Sequence, residues 1–261
     1  MSYGNYVLRN NKNAISTDFY FLETLKYIYP YLESTMFDPK KFTVAKATPI
    51  PLYLLLDTSA SMEGDNINEL NAAVRRMLAA FEKEQQRETR IDVTLISFGH
   101  NGVQLEMQTV PAAEALAKYR DLPADGMTPM GGALAMAKAM IEDKDVTPSN
   151  ACRPTIVLVS DGDPNDAWQD RMEEFIGTGR SAKCDRMAMA IGGKANMAPL
   201  ERFLQGTEYE VFDADDAAEI HTFFRRVTMS LSIRSKASNR NIVPVLPAQS
   251  DMAADDTSGF Y

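Results

Sequence analysis

The apolar run Leu52 to Leu56 passes without a break into Asp57-Thr58-Ser59-Ala60-Ser61. A run this short and this uniformly apolar reads as a strand buried on both faces, which is how strands of a parallel sheet covered by helices look in sequence. The abrupt change to carboxylate and hydroxyl side chains makes the end of that strand a place where oxygen donors gather. The pattern occurs again at Thr155 to Ser160, which runs into Asp161-Gly162-Asp163. A third polar stretch, Asp125-Gly126-Met127-Thr128-Pro129, leads into an apolar-periodic segment from about Met130.

Short apolar runs and helical periodicities alternate along the middle of the chain. Strands are predicted near 51–56, 91–98, 103–109, 154–160, 186–192 and 209–212, and helices near 67–85, 111–119, 131–143, 167–180, 197–204 and 214–232. Right-handed crossovers between such elements give an α/β fold: a doubly wound, mostly parallel six-stranded sheet with helices on both faces. Sheets of this kind take ligands at the carboxyl ends of their strands, where the strand order reverses. The domain is expected over 48–233. It is preceded by an extension, 1–47, in which Phe21, Leu25, Ile28 and Leu32 share a helical face that Pro30 interrupts. An acidic tail rich in Ser, Asn, Asp, Ala and Pro follows at 234–261. Too poor in apolar residues to order itself, this tail is expected to be flexible. Its Asp251, Asp255 and Asp256 are tethered carboxylates able to compete for a bound cation.

A net charge of −9 and a pI near 4.9 exclude nucleic acid as the main partner, because phosphate binding needs clustered Lys and Arg. The central apolar run is far short of the roughly 20 residues that span a bilayer, and Met1 to Phe21 holds no apolar signal region, so the expectation is a soluble cytoplasmic protein without a membrane partner. Cys152 and Cys184 are too few for a disulfide framework. They are expected to be free thiols that bridge only under oxidation.

The three polar stretches offer carboxylates and hydroxyls, with neither imidazole nor thiolate. Hard oxygen donors suit Mg²⁺, with Mn²⁺ or Ca²⁺ as alternatives, over Zn²⁺ or Cu²⁺. A hydrolytic reading would need a base near the ion, and the chain's only histidines, His100 and His221, lie on other segments. No phosphate-cradling Gly-x-x-x-x-Gly-Lys-Ser loop is present.

Taken in order, Asp-Thr-Ser-Ala-Ser, then Gly-Met-Thr-Pro-Met-Gly-Gly-Ala-Leu, then Ser-Asp-Gly-Asp-Pro-Asn-Asp resemble the complete metal-ion-dependent adhesion site of von Willebrand factor A domains. The resemblance covers about residues 48 to 233. It includes a closing helix, Phe223 to Ser230, similar to that of short bacterial members associated with tellurium resistance. It implies that Ser59, Ser61 and Thr128 hold the ion through their hydroxyls, and that Asp57 and Asp161 act mostly through bound waters. Neutral donors leave the charge of Mg²⁺ less quenched than carboxylates would, so an open position is expected to take an exposed Asp or Glu of a protein partner. The resemblance further implies kinase-like or phosphatase-like partners in bacterial stress-response or defence systems. The alternatives are a scaffold with a purely structural metal and, ranked lower, a metal-dependent hydrolase. Asp163 and Trp168 are candidate partner contacts, Glu63 and Asp65 are rim charges, and Asp166 is expected to cap the helix that begins with Ala167.

Overall fold

The computed structural model describes residues 48–83, 89–192 and 196–244. The amphipathic extension expected at 1–47 and the carboxylates of the tail lie outside the described residues.

In chain order the elements are β1 (Thr48–Thr58), α1 (Asp65–Lys83), β2 (Thr89–Gly99), β3 (Gly102–Pro111), α2 (Ala112–Lys118), α3 (Met130–Glu142), β4 (Thr155–Ser160), α4 (Trp168–Gly177), β5 (Asp185–Ile191), α5 (Ala198–Leu204), β6 (Phe212–Ala214) and α6 (Ala217–Lys236). The six strands form one sheet in the order β3-β2-β1-β4-β5-β6. All pairings are parallel except β2 with β3, which close a hairpin at His100-Asn101. From β1 the chain first winds to one side, to β2 and β3, and then to the other, to β4, β5 and β6. The order therefore reverses between β1 and β4, and the carboxyl ends of these two strands carry Asp57 and Asp161.

Alternation along β1 sets the two faces. Ile50, Leu52, Leu54 and Leu56 pack with Val93, Leu95, Val157 and Met189 under α1, α2 and α6. Tyr53 and Leu55 pack with Ile96, Ile156 and Leu158 under α3, α4 and α5. Every side chain from Leu52 to Leu56 is almost wholly buried, and each such aliphatic side chain contributes roughly 1.5–3 kcal/mol by leaving water. The alternation separates the two cysteines as well: Cys152 packs in the first cluster and Cys184 in the second. Both are free thiols, and the expected oxidative bridge fails on geometry, because their side chains lie on opposite faces of the sheet.

Two elements depart from the sequence reading. The last strand begins at Phe212 rather than 209, pairing Phe212, Asp213 and Ala214 with Met189, Ala190 and Ile191. Tyr209 instead donates its backbone N–H to the Thr207 hydroxyl in the preceding turn. The closing helix runs on to Lys236 because of Arg234, whose side chain is wholly buried. Its guanidinium donates to the Thr155 hydroxyl at 2.6 Å, to the Arg153 carbonyl at 2.5 Å and to the Arg240 carbonyl at 2.9 Å, with the Asp185 carboxylate 4.0 Å away. These bonds tie the segment after α6 to the amino ends of β4 and β5, the pole opposite Asp57. Among the described residues no helix is long and apolar enough to cross a membrane.

Candidate metal centre

Three loops meet at the carboxyl ends of β1 and β4, and backbone hydrogen bonds fix their relative positions. The Thr58 carbonyl accepts from the N–H groups of His100 and Asp125, and the Ala60 N–H donates to the Gly126 carbonyl at 3.1 Å. The Thr128 carbonyl accepts from Asn165 at 3.1 Å, joining the second loop to the third. Such close approach of backbones needs glycine. At Gly126, φ is +80° and a Cβ would lie 2.7 Å from the Gly99 carbonyl oxygen; at Gly99 a Cβ would overlap the Thr58 backbone.

On this frame the oxygens form a chain. The Ser59 N–H donates to Asp57 Oδ1 at 2.9 Å, the Ser59 and Ser61 hydroxyls are 3.0 Å apart, and the Ser61 hydroxyl donates to Asp161 Oδ1 at 2.8 Å. Thr128 is buried beside Pro129, where α3 begins. The five predicted donors thus belong to loops that the fold brings together. Burial pushes the Asp57 carboxyl up to about 6 against the pull of its hydrogen bonds, and desolvation raises Asp161 as well. A buried carboxylate held near two hydroxyls is costly as a bare anion and is relieved by a cation. Among the described residues no three His, Cys, Asp or Glu side chains form a metal cluster; the oxygens gathered here are two carboxylates and serine hydroxyls, hard donors of a kind that suits Mg²⁺.

Several residues that build the site escape a reading of motifs alone. Ser160 donates its hydroxyl to Asp57 Oδ2 at 2.5 Å; it stands one step beyond the Leu56–Val159 register pair, so only the pairing of β1 with β4 brings it to Asp57. Asp166 does not cap the helix it precedes, whose N-cap, Ala167, makes no side-chain bond. Its two carboxylate oxygens instead accept from the Gly131 and Gly132 N–H groups at 3.0 and 2.9 Å, capping α3 across the gap between loops. The ideal Cβ position of Gly131 is only 2.7 Å from the Trp168 Cα, so α3 and α4 meet tightly there. Trp168 is half-buried and packs on the α3–α5 cluster. Asp163 is exposed at the rim and accepts a hydrogen bond from Asn196. Met127, beside Thr128, is 67% exposed, an apolar side chain at the site's mouth.

A doubly wound sheet with an oxygen-donor site at its switch point defines the class of protein to which this chain belongs. The chain is a member of the von Willebrand factor type A domain family, whose model matches residues 52–226. Solved structures agree in fold. A von Willebrand factor type A protein from Catenulispora acidiphila is 19% identical with a TM-score of 0.55, matching 71% of this chain and 43% of its own. Proximal thread matrix protein 1 from the mussel byssus is 15% identical with a TM-score of 0.54, over 70% of this chain and 48% of its own. The von Willebrand factor domain of the type V pili tip protein Mfa5 from Porphyromonas gingivalis is 14% identical with a TM-score of 0.52, over 75% of this chain and 99% of its own. This chain thus spans less than half of the first two proteins. No curated protein matches it at a comparable level.

Proposed function

We propose that this chain is a Mg²⁺-dependent protein-interaction module whose metal face recruits an exposed Asp or Glu of a partner protein. The observation that carries the reading is the run of oxygens from Asp57 through Ser59 and Ser61 to Asp161 at the sheet's switch point. Ser59, Ser61 and Thr128 would hold the ion directly, and Asp57 and Asp161 would hold its waters, completing an adhesion-type site. When bound, Mg²⁺ supplies a Lewis-acidic centre with one coordination position for a carboxylate oxygen. The chain's own residues do the rest: Ser160 and the Ser59 N–H orient Asp57, and Asp166 holds the Thr128 loop. Similar folds in a pilus adhesin and in a pilus tip protein are in keeping with an interaction role.

An enzyme is the weaker reading because, among the described residues, no imidazole addresses the site. The His100 imidazole lies 3.6 Å from Asp125, the His221 imidazole lies 3.4 Å from Glu69 on the α1–α6 side, and among the described residues neither bonds a motif hydroxyl. The resemblance of the closing helix to that of short tellurium-associated members of the family supports a kinase-like or phosphatase-like partner in a cytoplasmic bacterial stress-response or defence system. Isothermal calorimetry with Mg²⁺ and Mn²⁺, followed by capture of a carboxylate peptide with and without EDTA, tests the proposal. Metal binding without chelator-sensitive peptide binding would leave the metal a structural role only.

A further inference from the structure

The metal face is ringed by negative charge. Glu63 and Asp65 follow Ser61 by two and four residues at the start of α1, and both are exposed. Asp125 stands on the second loop with its side chain 72% exposed, one oxygen accepting from the Gly126 N–H. Asp163 stands on the third loop, braced by Asn196. Together with Asp57 and Asp161, these carboxylates outnumber a bound dication. Neither Lys nor Arg occurs in these loops (57–66, 99–102, 123–131, 160–168), whose other titratable side chains are His100 beside Asp125 and Asp166, held by the Gly131 and Gly132 N–H groups; Lys194, in the segment leading to Asn196, lies outside the described residues.

Such a face attracts a cation more strongly than it attracts a polyanion. A ligand carboxylate is drawn to the ion over a distance of one bond, whereas its neighbours in sequence meet the exposed carboxylates carried by the same loops. Resting on the recruitment of a carboxylate proposed above, we infer that the partner's recognition element is a single Asp or Glu flanked by Lys or Arg, and that acidic runs are rejected. The rim gives specificity by repelling the wrong neighbours while the ion supplies attraction for one group. An acidic self-ligand such as Asp255-Asp256 is disfavoured by the same charges.

The test uses the full chain in excess over Mn²⁺, so that no free ion meets the peptides, and the paramagnetism of bound Mn²⁺ broadens the proton signals of even weakly bound peptides, with Mn²⁺ and peptide without protein as the blank. Three blocked peptides carry one central Asp flanked by Lys, Ala or Glu; a fourth carries Lys flanks and a central Asn. At low ionic strength the Lys-flanked Asp peptide is expected to bind roughly tenfold or more tighter than the Glu-flanked one, with the Ala-flanked peptide between. The Asn control is expected to show no specific broadening. Added salt, or the double variant Glu63→Gln/Asp163→Asn, should compress the spread while the central Asp is still required. Equal affinity of the three Asp peptides, or tightest binding of the Glu-flanked one, would overturn this inference and leave carboxylate recruitment standing. Equal binding of the Asn control would show attraction to the rim without the ion and overturn it too. Bound Mn²⁺ with no peptide binding at all would overturn the proposed function itself, and the inference with it.

Discussion

Asp57→Asn should make the metal-free chain more stable while abolishing its affinity for Mg²⁺. Asp57 has no solvent exposure, and its carboxyl is pushed from an ordinary carboxylate value of 3.8 to about 6, chiefly by desolvation. A carboxyl whose folded pKa lies above its unfolded one opposes folding when ionised: the cost is fully present above about pH 6 and fades as pH falls toward 4. Two pKa units correspond to about 3 kcal/mol, an upper figure for what the anion costs the empty fold at neutral pH. Asparagine keeps the acceptor for the Ser59 N–H. Its amide N–H₂ would then face the Ser160 hydroxyl, which can accept from it and turn its own proton toward the Gly162 carbonyl, 3.4 Å away. In EDTA at pH 7.5 the variant should therefore melt about 5–10 °C higher than the parent, and the gap should close as pH falls from 6 to 4. With Mg²⁺ present at a thousandfold excess over the dissociation constant the order should reverse, because only the parent gains binding free energy, about 4.1 kcal/mol. Calorimetric melts of both proteins across pH, with and without Mg²⁺, make the measurement. A variant that melts lower than the parent in EDTA at pH 7.5 would refute the reasoning, since the carboxylate would then be a net stabiliser of the empty site.

Asp166→Ala removes the acceptor of two N–H groups at the start of α3, and should cost about 1–2 kcal/mol in urea unfolding and several-fold in Mg²⁺ affinity by loosening Thr128; unchanged affinity would separate that cap from the site. Gly126→Ala forces a Cβ against the Gly99 carbonyl at φ +80° and should lower stability by at least about 1 kcal/mol with loss of Mg²⁺ binding, read by thermal melts and calorimetry. Arg234→Ala removes a wholly buried guanidinium that bonds Thr155, Arg153 and Arg240 and lies 4.0 Å from the buried Asp185 carboxylate, and should cost about 3–5 kcal/mol by circular-dichroism melts, while a loss below about 1 kcal/mol would contradict the role given to it. Oxidation of the native chain should give no Cys152–Cys184 bridge by mass spectrometry, and Cys184, whose thiol burial pushes up to about 12, should resist alkylation until the protein unfolds.

What the sequence disclosed and what it withheld differ in range. The apolar runs of β1 and β4 and the helical periods between them disclosed the doubly wound sheet, because burial on both faces leaves its mark in consecutive residues. The oxygen-bearing side chains at the end of β1 and after β4 were legible for the same reason: each sits where a buried run stops. The withheld features depend on which strands become neighbours. Ser160 reads as the end of a strand until β4 lies beside β1, and Asp166 reads as the cap of its own helix until α3 presents two free N–H groups within its reach. The cysteines show the converse. Neighbouring strands bring their ends together, as the sequence suggests, but the side chains take opposite faces, a matter of one residue's phase that no spacing argument fixes. Phe212 shows this as well, since a last strand is defined by the edge it joins, and here it pairs with β5 only at Met189 to Ile191. Chemistry written in one loop can thus be read before folding, whereas the groups that hold that chemistry in place come from elsewhere in the chain. Here Asp57 is set by a serine 103 residues away, and the Thr128 loop is braced by an aspartate 34 to 35 residues from the glycines it caps.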